Sequence, residues 1–157
     1  MKRILLILTL IMPLFCFSQT TAPKKANTII LKTGLSADEA FKNFGRILIK
    51  EGFTMETLDK DFYMLSTKVK TCNYGMLNAA KLNIKINCQI DQKEENTEIK
   101  ITGSAIDVAL SRTLSFDANS FVVSNRGPKS SVAGASWLIM DGLAKKLEGA
   151  EISYLIE

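Results

Sequence analysis

The chain contains no histidine among its 157 residues, which limits the chemistry it can perform. Without imidazole it has no Ser-His-Asp or Cys-His arrangement and no zinc site of the histidine type. Cys72 and Cys88 are separated by fifteen residues, a spacing that fits neither a CxxC redox motif nor a zinc ribbon. No glycine-rich phosphate loop or G-x-S-x-G motif occurs. We therefore expect no enzymatic activity, no cofactor and no metal site.

Carboxylates are the remaining groups that could act as a general acid and base. Asp59 and Asp61 flank one predicted turn, and Asp91, Glu94 and Glu95 crowd another. Acidic residues collect in turns because they accept hydrogen bonds from local backbone amides and stay solvated. Their oxygens suit calcium, but neither turn has the ligand spacing of a known calcium loop. We interpret both clusters as structural.

A set of lysines is the main candidate for a binding surface. Strand alternation places them on the face of the predicted sheet that points away from the core. They share this face with Asn83, Asn87, Gln89 and Thr102, and they are Lys32, Lys68, Lys70, Lys85 and Lys100. A basic face could bind an acidic lipid head group, a polysaccharide or a protein. The simpler interpretation is that a sheet covered by helices on one side exposes its other face to solvent, and that lysine suits strand positions facing water.

Residues 1–18 have the form of a secretory signal peptide. Lys2 and Arg3 precede an apolar run that is short for a membrane span of about 20 residues. Cleavage is predicted after Ser18, so we expect an exported protein, periplasmic or secreted. The alternative is an outer-membrane lipoprotein with Cys16 as the lipidated residue, which is less favoured because the preceding Phe15 is large.

The signal peptide also carries half of the net charge. The whole chain is +4, and removal of Lys2 and Arg3 leaves 18 basic against 16 acidic residues, a net charge of +2. This charge gives little support for a polyanionic partner, and nucleic acid is not expected outside the cytoplasm.

Cys72 and Cys88 are the cysteines of the mature chain, and an even number in an exported protein favours a disulfide. They lie on consecutive strands of a predicted hairpin centred near Ala80. The alternation of side chains along the strands opposes the bridge, because Cys88 is expected on the inward face with Ile86 and Cys72 on the outward face with Lys70. A bulge would remove this conflict. We predict the disulfide, with two buried or half-buried thiols as the alternative.

The elements that position these residues are clearest between Ser36 and Val69. Ser36 and Glu39 form a capping box, apolar residues follow at helical spacing, and Gly52 ends the helix. Beyond Gly52 the apolar residues recur at every second position, which predicts a hairpin of two strands.

Further along, Leu82–Asp91 is the clearest strand, and the chain returns over Thr97–Ala105 after an acidic turn. Residues 107–129 are hard to assign, although Ser120–Ser124 could be a short strand. A second helix begins at Ser130 or Ser131, and the tail from Glu151 is either a last strand or a loose end.

These elements predict one domain, residues 27–157, after a tether at residues 19–26. The order β-α-β-β-β-β-α, with extra short strands allowed, gives an α+β two-layer sandwich. Its antiparallel sheet alternates apolar and polar residues, so helices are expected on one face only.

Four short motifs carry a resemblance to a known group of proteins. Ala40-Phe41, Gly52-Phe53-Thr54, Asp59-Lys60 and Leu65-Ser66-Thr67 resemble a pattern in small exported domains of Gram-negative envelopes. Those domains have a fold similar to the TATA-binding protein (TBP-like), and some look like the repeated domains of a lipoprotein of the outer-membrane barrel-assembly machinery. The resemblance covers roughly residues 27–105 and the last helix. It implies an envelope protein without known catalysis and brings no catalytic positions.

The sequence thus favours a non-enzymatic periplasmic or envelope-associated domain that binds a protein or an envelope component. The alternative is a carrier of a small apolar or lipid ligand held between sheet and helices. Residues that could line such a space are Phe41, Phe44, Trp137 and Met140.

Overall fold

The computed structural model describes residues 21–75, 78–111 and 115–157. Its helices and strands, in chain order, are β1 (Thr28–Thr33), α1 (Ala37–Lys50), β2 (Met55–Asp59), β3 (Met64–Thr67), β4 (Lys70–Tyr74), β5 (Ala80–Gln92), β6 (Thr97–Asp107), α2 (Val108–Ser111), α3 (Phe116–Asn119), β7 (Phe121–Val122), α4 (Val132–Ala144) and β8 (Glu151–Leu155). The predicted signal peptide, residues 1–18, lies outside the described residues. None of the helices described is long and apolar enough to span a bilayer.

The helix α1 forms as its sequence predicts. The Ser36 hydroxyl accepts from the Glu39 amide, and the Glu39 carboxylate accepts from the Ser36 amide, which completes the capping box. The chain leaves the helix through Gly52, whose φ of 76° is in the left-handed region that glycine adopts at low cost.

The strands form one open sheet of eight antiparallel strands. Its main order is β2-β3-β5-β6-β1-β8, with β4 pairing β5 and β7 pairing β6. The centre is the β5–β6 hairpin, which keeps one register from Leu82 opposite Asp107 to Gln92 opposite Thr97. This sheet and its helices confirm the predicted α+β class.

The two long helices pack on one face of the sheet, which is called the inner face here. Phe44 and Leu48 of α1 and Met140 of α4 are fully buried in the same apolar cluster as Ile86 and Ile101. Alternate residues of the same strands point to the other face, called the open face. The predicted two-layer arrangement therefore follows from strand alternation.

One departure from the prediction occurs after β3, where the sequence indicates a single strand continuing toward Lys70. Leu65 lies opposite Cys88, but Lys70 lies opposite Ile84, so β3 and β4 pair with β5 one residue out of phase. The extra residue is a bulge around Lys68 and Val69. Because side chains alternate along a strand, this single insertion reverses the facing of every residue in β4.

The C-terminal tail is a strand rather than a loose end. Residues of β8 pair with β1 in a continuous register from Glu151 opposite Lys32 to Leu155 opposite Thr28. The segment that was hard to assign contains α2, α3 and the two-residue strand β7, which falls inside the short strand expected there.

Candidate binding face

A line of uncharged polar side chains crosses the open face. Thr57 of β2 lies opposite Ser66 of β3, Ser66 lies opposite Asn87 of β5, and Asn87 lies opposite Thr102 of β6. These four residues are called the polar row. Neighbouring strands are about 4.8 Å apart, so the row is roughly 14 Å long.

The polar row lines a solvent-open groove of about 470 Å³. Thr57 is exposed, and the other three side chains are half-buried. Elsewhere on this face side chains bond to one another; Thr71, for example, donates to the Asn83 amide oxygen at 2.7 Å. Within the part of the chain that the structure describes, no side chain of the polar row has a hydrogen-bond partner. The row therefore presents hydroxyl and amide groups that are free to bond a ligand.

The lysines near the polar row are neutralised by carboxylates. Lys85 contacts Glu56 at 2.6 Å, and Lys100 contacts Glu157 at 2.7 Å. The hydrogen bond from Lys85 is the largest cause of the lowered pKa of Glu56. Lys100 acts in the same way on Glu157, whose pKa is also lowered.

Lys32 and Lys68 also belong to the predicted basic set. Lys32 is 3.5 Å from Glu98, and the exposed Lys68 is close enough to contribute to the lowered pKa of Glu56. The open face is thus closer to neutral than its lysine content alone indicates, because carboxylates of β2, β6 and the C-terminal residue accompany the lysines.

The predicted position of Lys70 is wrong. The bulge turns it to the inner face, where its ammonium group donates to the Glu51 carbonyl oxygen and lies 4.5 Å from the centre of the Phe53 ring. Its charge stabilises the end of α1 by satisfying a terminal carbonyl and by a cation–π contact. Lys70 therefore belongs to the helix-to-strand junction and not to a binding face.

The predicted disulfide between Cys72 and Cys88 is not formed, and both cysteines are free. The bulge does bring Cys72 to the inner face, but it lies opposite Leu82, six residues from Cys88 along β5. At about 3.3 Å per residue this is roughly 20 Å, far beyond the Cα separation of a disulfide. Burial raises the pKa of both thiols, so neither is an activated nucleophile.

The acidic turn after β2 has a structural role. One carboxylate oxygen of Asp59 accepts from the backbone amides of Asp61 and Phe62, at 3.0 and 3.1 Å. This is the local capping that the sequence indicates for acids in turns. In the described ranges, no three His, Cys, Asp or Glu side chains come together in a way that could hold a metal ion.

The polar row as a unit was missed by the sequence reasoning. Asn87 and Thr102 were placed on the open face, but Thr57 and Ser66 were not connected to them. The register of the β5–β6 hairpin was a usable signal, because the four-residue connection 93–96 sets Asn87 opposite Thr102. The register of β3 against β5 is set only when the two strands pair in the folded chain, so the sequence gave no signal that Ser66 lies opposite Asn87.

No protein-family model matches this chain, and no curated protein matches it in sequence. Its function must therefore be inferred from the fold and from the open face.

Proposed function

We propose that this chain is an exported, non-enzymatic binding domain that holds a protein or an envelope component on the open face of its sheet. The observation that carries the proposal is the polar row, whose hydroxyl and amide groups line a groove without partners among the described residues. The leader-like residues 1–18 and the resemblance to exported envelope domains support the compartment.

The chemistry of the groove favours a ligand that is rich in hydroxyl or amide groups. Ser66, Asn87 and Thr102 supply donors and acceptors without net charge, spaced at the distance between strands. A polysaccharide or a stretch of protein surface offers complementary groups. A strongly anionic ligand is less suited, since Lys85 and Lys100 already contact carboxylates.

The alternative function, a carrier of an apolar or lipid ligand between sheet and helices, has less support. Phe44 and Met140 are fully buried and Trp137 nearly so, and all three belong to one continuous apolar cluster. Phe41 packs edge-on against Tyr63 with ring centres 5.9 Å apart. Side chains thus fill the space around these four residues, and the groove that is open, between β8 and α4, carries the charged Asp141 and Lys145 beside Trp137.

Site-specific photo-crosslinking in the producing cells tests the proposal. A photoreactive residue replaces Asn87 on the open face or, as the control, the exposed Lys42 on the opposite, helical side. We expect a reproducible adduct from position 87 that is absent from position 42. Absence of an adduct at position 87, or the same adducts at both positions, would contradict the proposal.

A matched pair of substitutions then locates the surface. Asn87→Arg introduces a long charged side chain into the groove, while Asn43→Arg makes the same change on α1, on the far side of the molecule. The first variant should lose at least tenfold in capture of the crosslinked partner, about 1.4 kcal/mol, and the second should retain it. Equal loss in both variants would show that the open face is not the binding site.

A further inference from the structure

The two strands at the ends of the main sheet order, β2 and β8, differ in how they are protected from pairing with another chain. β2 has a register shift between Met55 and Thr57 and carries the acids Glu56 and Asp59. Bulges and charges are the usual means by which an edge strand is prevented from adding a further strand. The β2 edge is therefore blocked.

β8 at the other edge has less of this protection, since it has no register shift and carries one acid, Glu151, at its first position. It has the sequence EISYL, with no lysine, arginine or proline, and it pairs with β1 over five residue pairs without a register shift. Its outward backbone groups have no strand partner among the described residues. A regular, largely uncharged edge of this kind is a ready template for a further antiparallel strand.

Tyr154 holds β8 in a fixed position beside α4. Its hydroxyl donates to Asp141 at 2.8 Å, and Asp141 in turn contacts Lys145 at 2.6 Å. The Tyr154 ring also lies 5.8 Å from the Trp137 ring. A strand that is ordered before binding loses less conformational entropy when another strand is added to it.

We propose that β8 pairs with β8 of a second copy of this chain to form a twofold dimer centred on Ser153. In this register Ser153 lies opposite the same residue of the other copy, Ile152 opposite Tyr154, and Glu151 opposite Leu155. No like charges face each other, and the Ile–Tyr pairs are of a favourable cross-strand type. The contact is the same on both copies, as a twofold dimer requires.

The inner face beside β8 supports the second copy as the occupant. A groove of about 1180 Å³ runs between β8 and α4, and its lining combines the apolar side chains of Trp137, Leu138 and Ile152 with the charged side chains of Lys129, Asp141, Lys145 and Glu151. Leu138 is 41% exposed there. A twofold axis perpendicular to the sheet keeps the helices of both copies on one side, so in the proposed dimer the two grooves meet and the apolar Leu138 and Ile152 become covered.

Cysteine crosslinking tests the register directly. Ser153→Cys places a thiol on the twofold axis, where directly opposed residues of antiparallel strands are close enough for a disulfide. Thr57→Cys puts the same thiol at the centre of the β2 edge, and the unmodified chain controls for the native cysteines. Under mild oxidation of residues 19–157 at micromolar concentration, we expect S153C to form covalent dimers at least tenfold faster than T57C.

Sedimentation equilibrium over a range of concentrations gives the second measurement. The unmodified chain should sediment as a dimer, and Ser153→Lys should raise the dimer dissociation constant at least about tenfold, because two like charges then oppose each other across the axis. Position 153 points to the open face, so circular dichroism should show unchanged secondary structure. A monomer at all concentrations, or crosslinking of S153C no faster than that of T57C, would overturn the proposal.

Discussion

The two faces of the β5–β6 hairpin are built from alternate residues of the same strands, yet the side chains on the two faces differ in burial and in the contacts they make. Ile86 and Ile101 on the inner face are fully buried against helices α1 and α4. Asn87 and Thr102, their direct neighbours in sequence, are half-buried on the open face and have no side-chain partner in the described ranges. Residues that stabilise the core therefore alternate along the same strands with the polar residues to which the proposed function assigns binding.

The largest expected effect is the loss of a core side chain. Ile86→Ala should lower the free energy of unfolding by about 2–5 kcal/mol, because it removes buried apolar atoms and leaves a cavity beneath the helices. Urea-induced unfolding followed by circular dichroism measures this. The matched control is Asn87→Ala on the other face of β5, which should change stability by less than about 0.5 kcal/mol. Similar losses at the two positions would break the distinction between the faces.

A smaller effect should distinguish two lysines that the sequence places together. Lys70→Met removes a donor from the Glu51 carbonyl and a cation from the Phe53 ring, so we expect a loss of about 1 kcal/mol. Lys68→Met, at an exposed position in the bulge, should be neutral within about 0.5 kcal/mol. Chemical denaturation of both variants measures the difference. Equal stabilities would mean that the inward contact of Lys70 contributes nothing.

The smallest effect is a pH dependence at the edge of the inner face. Burial, and then the hydrogen bond to Asp141, raises the pKa of Tyr154 to about 12. An unfolded tyrosine ionises near pH 10, so between about pH 10 and pH 12 the unfolded chain releases this proton while the folded chain keeps it. The unfolded state then binds fewer protons, and stability falls as pH rises.

Tyr154→Phe removes this ionisation together with the hydrogen bond. We expect the variant to be less stable than the wild type near neutral pH and the difference between them to shrink above about pH 10. Thermal unfolding across this range measures the difference, and phenolate absorbance follows the ionisation. Parallel melting curves for wild type and variant would contradict the assigned pKa.

Much of the fold could be predicted from the sequence because its signals are local. The Ser36–Glu39 capping box and Gly52 define the start and end of α1 within a few residues. The alternation in β5 and β6 separates the two faces without reference to any other element. Each signal depends on contacts between residues that are near in sequence.

The candidate site was predicted only in part, because it depends on register between strands that are distant in the chain. The bulge at Lys68 and Val69 exists because β3 and β4 pair with β5 in different phases. That shift moved Lys70 off the open face. It also placed Cys72 opposite Leu82, too far from Cys88 for the predicted bridge. Periodicity within one strand cannot reveal an insertion that only the partner strand defines.

The sequence by itself determined the α+β class, the boundaries of α1 and the existence of an open polar face, since capping and alternation act over a few residues. Only the tertiary structure decided which polar groups stand side by side on that face. It also decided that Lys85 and Lys100 contact carboxylates and that β8 forms a regular outer edge of the sheet. These features join residues up to 127 positions apart, and their energies depend on burial and distance, which no local pattern encodes.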